Sequence, residues 1–198
     1  MAQPHTELQG GRAEWDGSIL TAMPDSTLQT TAARPLGFAV LTVSDTRSVG
    51  DDRSGDALAD RITAAGHRIA ARSLVTDDAL LIAAQLREWT ADPAIQVVIS
   101  TGGTGITGRD VTPEAFRAVL QKELPGFGET FRALSFRKIG LAAMQSRALG
   151  GVAEGTYLFA LPGSTGAVRD AWDDILSHLF AEGSGTCNLA ELIPRLQE

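Results

Sequence analysis

The chain has 198 residues and a formal net charge of −7, and this length suits one well-filled domain. The negative charge argues against a nucleic-acid partner, because such proteins need basic patches to replace the counterions of phosphates. No apolar stretch approaches the length of a membrane span, and the single cysteine, Cys187, has no partner for an internal disulfide. We therefore expect a cytoplasmic protein with neither a nucleic-acid nor a membrane partner.

The first part of the chain lacks the periodicity of a helix or a strand. Residues 1–33 mix Gln, Thr, Gly, Pro and Ser with isolated apolar residues, which is typical of a disordered extension. Trp15, Ile19 and Leu20 are the exceptions, and the alternative is that they dock on the domain or on a neighbouring subunit. The sequence thus predicts a disordered extension over 1–33 and one ordered domain over 34–198.

Strands and helices alternate from Gly37 onward. The apolar patterns predict three strands, at 38–43, 68–75 and 95–100. Two helices lie between these strands. The first ends at Gly66 and has an apolar stripe of Leu58 and Ile62. The second is capped by Thr76, and its apolar stripe consists of Ala79, Ile82, Leu86 and Trp89. This alternation predicts a parallel sheet with helices on both faces, whose ligands bind beyond the carboxyl ends of the strands.

The second half of the chain predicts further helices and a hairpin. One helix follows the 125–129 segment and runs to about Lys138, and a last helix follows the turn at 162–164. Residues 149–154 and 156–161 are typical of a hairpin around Gly155, which makes the sheet mixed. The predicted fold class is α/β, a three-layer α/β/α sandwich that has a mostly parallel sheet with an antiparallel edge hairpin.

The most informative segment is 97–114, where a buried strand leads into a loop of glycines and threonines. Its glycines let a ligand approach the backbone amides closely, and Thr112 with Pro113 marks the cap and first turn of a helix. The loop lacks the lysine of a nucleotide-binding P-loop. It matches the dinucleotide pattern G-x-G-x-x-G, but 109–112 separate the last glycine from the helix, so a dehydrogenase-like role is the minor alternative. We predict an anion cradle.

Carboxylates fall beside this cradle. Asp77 and Asp110 each stand near a predicted helix start, where the helix dipole alone favours an acidic residue. Because both reach the same edge of the sheet, the alternative is that they hold Mg²⁺ against phosphate oxygens; Asp45 is a further candidate, or simply caps a turn. The nearest cations, which could pair with phosphate, are Arg47, Arg109 and Arg147.

Several motifs follow one another along the chain. They are Ser44-Asp45-Thr46, Asp52-Arg53-Ser54-Gly55, Thr101-Gly102-Gly103-Thr104-Gly105, Arg109-Asp110-Val111-Thr112-Pro113-Glu114, Pro125-Gly126-Phe127-Gly128-Glu129, Ser146-Arg147 and Leu161-Pro162-Gly163-Ser164. In this order they resemble the molybdopterin-binding family of molybdenum cofactor biosynthesis, and Cys187-Asn188 is more similar to its B-type (MoaB) members than to the longer MogA type. Two segments differ from the family pattern, 165–167, where a lysine is frequent, and 185–189.

The resemblance implies a homo-oligomer, a trimer that in some members pairs into a hexamer. Catalytic members transfer AMP from Mg-ATP to the terminal phosphate of molybdopterin and release pyrophosphate; the alternative is a protein that binds molybdopterin or the molybdenum cofactor without catalysis. Asp77 and Asp110 match the positions associated with metal binding and activity. The ligand-binding positions that the resemblance implies are Ser44, Asp45, Gly102, Gly103, Thr104, Gly105, Glu129, Ser146, Pro162, Gly163 and Ser164.

Overall fold

The computed structural model describes residues 35–47, 49–181 and 188–198. The predicted extension over 1–33 and Cys187 lie outside these residues, so the expectations for them, and the domain boundary at residue 34, stay predictions. None of the helices in the described part of the chain is long and apolar enough to cross a membrane.

Strands that alternate with helices build one mixed sheet. In chain order the strands are β1 (Gly37–Val43), β2 (Arg68–Val75), β3 (Val97–Thr101), β4 (Lys122–Glu123), β5 (Leu149–Ala153) and β6 (Thr156–Leu161). They are arranged as β2-β1-β3-β6-β5-β4. The first four strands of this order are parallel, and β5 runs antiparallel to both of its neighbours. The prediction of a mostly parallel sheet with an antiparallel edge is confirmed.

The helices lie between the strands and after the last one. They are α1 (Arg53–Ala64), α2 (Ala79–Thr90), α3 (Thr112–Arg117), α4 (Pro125–Ile139), α5 (Thr165–Ala171), α6 (Ser177–Phe180) and α7 (Leu189–Leu192). A π-helical turn at Trp172–Leu176 joins α5 to α6, and short 3-10 turns occupy Val49–Asp51, Gly140–Gln145 and Ile193–Arg195.

The alternation of side chains along β1 divides the core into two clusters. Phe38 points to one face of the sheet, where it packs with Leu58 of α1 and Phe131 of α4. Leu41 points to the opposite face, where Phe116 of α3 belongs to the same cluster. Complete burial of each such side chain contributes about 1.5–3 kcal/mol. Helices therefore cover both faces of the sheet, and the predicted three-layer α/β/α architecture is confirmed.

Two helix starts differ from the prediction. The cap of α2 is Asp78 and not Thr76, because the Asp78 carboxylate accepts hydrogen bonds from the N–H groups of Leu80 and Leu81 at 2.8 and 3.1 Å. Thr112 is the first residue of α3 and not its cap. Its hydroxyl donates instead to the carbonyl oxygen of Gly102 at 3.0 Å, which holds the glycine loop against the helix.

Three further segments refine the predicted pattern. The helix α4 begins at Pro125, so the motif that the sequence placed before the helix forms its first turns. The short strand β4 and the 3-10 turn at Gly140–Gln145 have no counterpart in the prediction. The hairpin between β5 and β6 is confirmed, and its two turn residues, Glu154 and Gly155, both have positive φ, as a tight hairpin turn requires.

Candidate functional site

A cleft of about 590 Å³ opens at the carboxyl ends of the four parallel strands. One wall consists of the loops that follow β1, β2, β3 and β6, and these loops supply glycines and polar groups. The opposite wall comes from α4 and the 3-10 turn after it, where Phe131, Ile139 and Ala142 are apolar. The cleft lies at the edge of the sheet where parallel sheets bind their ligands, as the sequence predicts.

Two glycines let the loop after β3 fold against its neighbours. Gly102 and Gly103 have φ angles of +111° and +62°, a region that residues with a side chain rarely adopt. A Cβ on Gly102 would overlap the carbonyl oxygen of Val43, and a Cβ on Gly103 would overlap both Asp77 Oδ1 and Thr112 Oγ1. The glycines are therefore required for the close approach of this loop to Asp77.

Asp77 is the carboxylate with the most unusual surroundings in the cleft. Its Oδ1 is buried and accepts no hydrogen bond from the residues that the structure describes. Burial raises the pKa of Asp77, and the negative charges of Asp45 and Asp110 raise it further, while Arg109 opposes them. A buried oxygen without a donor is costly. A ligand that brings a cation to this oxygen would remove that cost, so the residue fits the predicted magnesium.

Asp45 connects three loops of the cleft. Its Oδ1 accepts a hydrogen bond from the backbone N–H of Asp77 at 3.0 Å, and its Oδ2 forms an ion pair with Nη2 of Arg109. The Arg109 side chain is 76% exposed, so water screens the pair and its contribution is at most about 1 kcal/mol. Arg109 can therefore exchange Asp45 for an incoming phosphate at little cost.

Asp110 closes the glycine loop on itself. Its Oδ2 accepts hydrogen bonds from the N–H and the hydroxyl of Thr107 at 2.8 and 2.6 Å. Burial raises the pKa of Asp110, but these hydrogen bonds, the Gly105 amide and the charge of Arg147 outweigh it, so the pKa lies below its usual range. Asp110 therefore stays ionised at a pH where Asp77 already takes up a proton.

Metal ligands do not cluster in the part of the chain that the structure describes. In the described ranges, no three His, Cys, Asp or Glu side chains form a group that could hold a metal. Mg²⁺ is usually bound by one or two carboxylates together with water and the phosphates of a substrate. Asp77 and Asp110 could supply the carboxylates for such an ion.

The Asp52-Arg53-Ser54-Gly55 motif stabilises the floor of the loop after β1. Asp52 is buried and caps α1, because its carboxylate accepts hydrogen bonds from Gly55 N at 3.0 Å and from Thr42 Oγ1 at 2.6 Å. It also forms an ion pair with Arg72 at 3.2 Å. Asp52 thus connects the start of α1 to β1 and β2, which is a structural role.

Arg47 links the start of α1 to the turn after β6. Its Nη1 donates to Ser54 Oγ at 2.5 Å and its Nη2 donates to the carbonyl oxygen of Gly163 at 2.9 Å. The backbone N–H of Arg47 also donates to Ser44 Oγ at 3.2 Å, which shapes the loop after β1. Ser164, in the turn after β6, caps α5 through the N–H of Ala167 at 3.1 Å.

Arg147 lies beside the glycine loop and contacts its backbone. Its Nε donates to the carbonyl oxygen of Gly105 and its Nη2 to that of Asp110, both at 2.6 Å. Its own N–H donates to the carbonyl oxygen of Thr104 at 3.0 Å, and its Nη1 pairs with Glu114. The sequence suggested Arg147 as a partner for phosphate, but its guanidinium is directed at the loop.

The cleft gathers all but one of the predicted ligand-binding positions. Those that line it are Ser44, Asp45, Asp77, Gly102, Gly103, Thr104, Gly105, Asp110, Ser146, Pro162, Gly163 and Ser164. Glu129 lies on α4 in a separate depression of about 280 Å³, which Ser146 also lines. Sequence reasoning missed the apolar wall formed by Phe131, Ile139 and Ala142, because helical periodicity shows which face of α4 is apolar but not which space that face borders.

Fold and site together define a three-layer α/β protein with a cleft for an anionic ligand at the carboxyl edge of its sheet. A family model described as a probable molybdopterin binding domain matches residues 39–182 of the chain. The chain therefore belongs to the molybdopterin-binding family of molybdenum cofactor biosynthesis proteins. The resemblance that the ordered motifs indicate is confirmed.

Relatives and solved structures agree with this membership. The chain is 44% identical over 154 residues to molybdenum cofactor biosynthesis protein B of Escherichia coli K12, a match that covers 78% of this chain and 91% of the relative. The match to a crystal structure of a molybdenum cofactor biosynthesis protein B covers 84% of this chain and 99% of that chain, with 37% sequence identity and a TM-score of 0.76. The tungsten cofactor synthesizing protein MoaB from Pyrococcus furiosus has 32% identity and a TM-score of 0.70, with 84% of this chain and 100% of that chain covered.

Proposed function

We propose that this protein adenylylates molybdopterin with Mg-ATP, releases pyrophosphate, and works in the cytoplasm. The observation that carries the proposal is that Asp77 and Asp110 lie close together at the glycine loop, where Asp77 Oδ1 is buried and receives no hydrogen bond from the described residues. Two ionised carboxylates would repel a polyphosphate by themselves. They fit an anionic substrate when a cation accompanies it, which is the form in which ATP is used.

The loops of the cleft supply the groups that hold phosphates. The backbone N–H groups of a glycine loop are suited to phosphate oxygens, and Arg109 can leave Asp45 for a phosphate. Asp77 and Asp110 would hold magnesium; when bound, the ion neutralises charge that develops on the phosphate oxygens. Phe131, Ile139 and Ala142 offer an apolar surface for the ring system of the pterin.

The proposed reaction needs positioning more than acid–base chemistry. An oxygen of the terminal phosphate of molybdopterin attacks the α-phosphorus of ATP, a new phosphorus–oxygen bond forms, and the bond to the β-phosphate breaks. Pyrophosphate carries away the electron pair of the broken bond. Because the attacking oxygen is already ionised, this protein only has to align the two phosphates and balance their charge.

A carrier protein that binds molybdopterin without transferring AMP is the second candidate. One feature of the cleft favours it, because the only cationic side chains that line it in the described part of the chain are Arg47 and Arg109. Both are engaged with protein groups, and residues 165–167, the first residues of α5, include no lysine. Both candidates use the same cleft and differ only in whether ATP reacts there.

The test compares AMP transfer with pterin binding. Purified protein is incubated with molybdopterin and Mg-ATP, and adenylylated pterin is measured by mass spectrometry. Asp110→Asn should bind molybdopterin as the parent does and transfer AMP about 100-fold more slowly. Asp60→Asn, which removes the same charge from an exposed position of α1, is the control and should match the parent. Equal rates for Asp110→Asn and the parent would remove Asp110 from the mechanism.

We also infer that the protein is a homo-oligomer, a trimer that can pair into a hexamer. Support comes from large apolar side chains that are exposed beside the cleft, namely Phe136, Leu141 and Met144. Exposed patches of this kind often mark protein interfaces. Analytical ultracentrifugation should find a trimer or a hexamer, and Leu141→Asp should shift the protein toward monomer; a monomeric parent protein would contradict the inference.

A further inference from the structure

The glycine loop has little regular structure to hold its far half in place. Within 105–111 the backbone forms turns rather than a helix or a strand. The hydrogen bonds that link the loop to itself are few, such as Asp110 N to Thr107 O at 3.1 Å and Thr112 N to Gly103 O at 3.1 Å. The position of the loop therefore depends on contacts from outside it.

Arg147 supplies such contacts, and its backbone lies close to a buried strand. It stands two residues before the buried strand β5, and its side chain is only 30% exposed. Two of its donors reach the carbonyl oxygens of Gly105 and Asp110, which lie on either side of the turn at 106–109. A third pairs with Glu114 on α3. A planar guanidinium fixes the directions of these contacts relative to one another.

We propose that Arg147 is a positioning residue for AMP transfer, which holds the Gly105–Asp110 turn and thereby places the carboxylate of Asp110 in the cleft. This inference rests on the proposed function. The Asp110 carboxylate is bound to Thr107 within the same turn, so turn and carboxylate move as one unit. If the turn shifts by about 1 Å, the misplaced carboxylate can slow the reaction about 100-fold.

Lysine does not replace arginine here. Its ammonium group is a single point of charge, so it cannot span two carbonyl oxygens on opposite sides of a turn while it also pairs with Glu114. Arg147→Lys therefore keeps the charge and removes the fixed geometry. The matched control is Arg117→Lys at the end of α3, where Arg117 pairs with Glu123 at 3.3 Å and its side chain is 51% exposed.

The kinetic test is a double-mutant cycle of AMP transfer in the full-length protein. Arg147→Lys should lower kcat about 100-fold with the KM for molybdopterin changed less than about threefold, and Arg117→Lys should leave both unchanged. The double variant Arg147→Lys/Asp110→Asn should be no slower than Asp110→Asn, because residues that act as a unit are not additive. If the two effects multiply, Arg147 does not act through Asp110 and the proposal is wrong.

A second measurement separates this inference from the proposed function. Amide hydrogen exchange of the 102–111 segment should rise about tenfold or more in Arg147→Lys, while exchange in β3 and α4 stays at the parent level. Unchanged exchange in 102–111 would overturn the role of Arg147 in holding the loop. If the parent protein transfers no AMP, the proposed function fails, and the exchange measurement still decides whether Arg147 positions the turn.

Discussion

Replacement of Asp77 by Asn should stabilise the protein at neutral pH and weaken its binding of Mg-ATP. The change keeps the shape of the side chain but removes the charge of a carboxylate whose Oδ1 is buried and, among residues 35–47, 49–181 and 188–198, has no hydrogen-bond donor. Burial and the charges of Asp45 and Asp110 raise the pKa of Asp77 in the folded state. Folding therefore favours the protonated form of Asp77. This contribution to stability is complete below the pKa that Asp77 has in the unfolded chain, and it is lost as the pH rises through the pKa that Asp77 has in the folded protein.

The expected gain in stability is small because Asp77 as a whole is only half-buried, although its Oδ1 is covered. Two negative neighbours act on Asp77 and the cation Arg109 opposes them. At such a site the net effect is about 0.5 kcal/mol after screening by water. For a domain of this size, 0.5 kcal/mol raises Tm by about 1–2 °C. Loss of one contact to a cation costs about 1.5–3 kcal/mol, so the Kd of Mg-ATP should rise about 10- to 100-fold.

The assays are calorimetric melting at pH 7 and pH 3 and titration with Mg-ATP. Asp78→Asn is the matched control, because the neighbouring Asp78 caps α2 and asparagine caps helices equally well. It removes the same charge and should neither raise Tm nor weaken Mg-ATP binding. If Asp77→Asn lowers Tm at pH 7, the charge of Asp77 does not destabilise the fold. If it binds Mg-ATP as tightly as the parent, Asp77 does not contact the magnesium.

Three further predictions concern the loops around the cleft. Gly103→Ala should lower the free energy of unfolding by about 1–3 kcal/mol and weaken molybdopterin binding, because positive φ strains alanine and its Cβ would overlap Asp77 Oδ1; urea unfolding and pterin titration check this, and parent-like values for both would contradict it. Asp52→Ala should cost about 2–3 kcal/mol in the same unfolding assay, because it removes the cap of α1 and leaves the buried hydroxyl of Thr42 without its acceptor; a loss below about 0.5 kcal/mol would disagree. Mg-ATP affinity should decrease on acidification, and the decrease should begin at a higher pH than the titration range of an ordinary aspartate, because the pKa of Asp77 is raised. Titrations of Asp77→Asn with Mg-ATP should lack this pH dependence. If the decrease persists in Asp77→Asn, another group is responsible for it.

The sequence predicts the sheet of this protein well because strand patterns and their order are local properties. The apolar run of β3 and the alternation of helices and strands lead to the parallel sheet and to the edge where the cleft lies. The parallel strands then bring Asp77 and the glycine loop together, although 25 residues separate Asp77 from Gly102 in the chain. Topology alone is enough for that part of the site.

The roles of the arginines could not be predicted in the same way. The sequence shows Arg47 and Arg147 near the predicted anion cradle, but the donors of an arginine can pair with phosphate, carboxylate or carbonyl oxygens. Their actual partners, Gly163 and Gly105, are 116 and 42 residues away. The cap of α2 could not be predicted for a similar reason. Both Thr76 and Asp78 are residue types that cap helices, and which of them does so depends on the residue at which α2 begins.

The most direct test of the account is to trace the α-phosphate of ATP. The parent protein is incubated with molybdopterin and Mg-ATP labelled at the α- or the γ-phosphorus, and the pterin product is isolated and weighed by mass spectrometry. We expect that the α-label enters the pterin as AMP, that the γ-label leaves in pyrophosphate, and that Asp110→Asn largely abolishes both. A protein that binds molybdopterin tightly and leaves both labels in ATP would contradict it and identify a carrier.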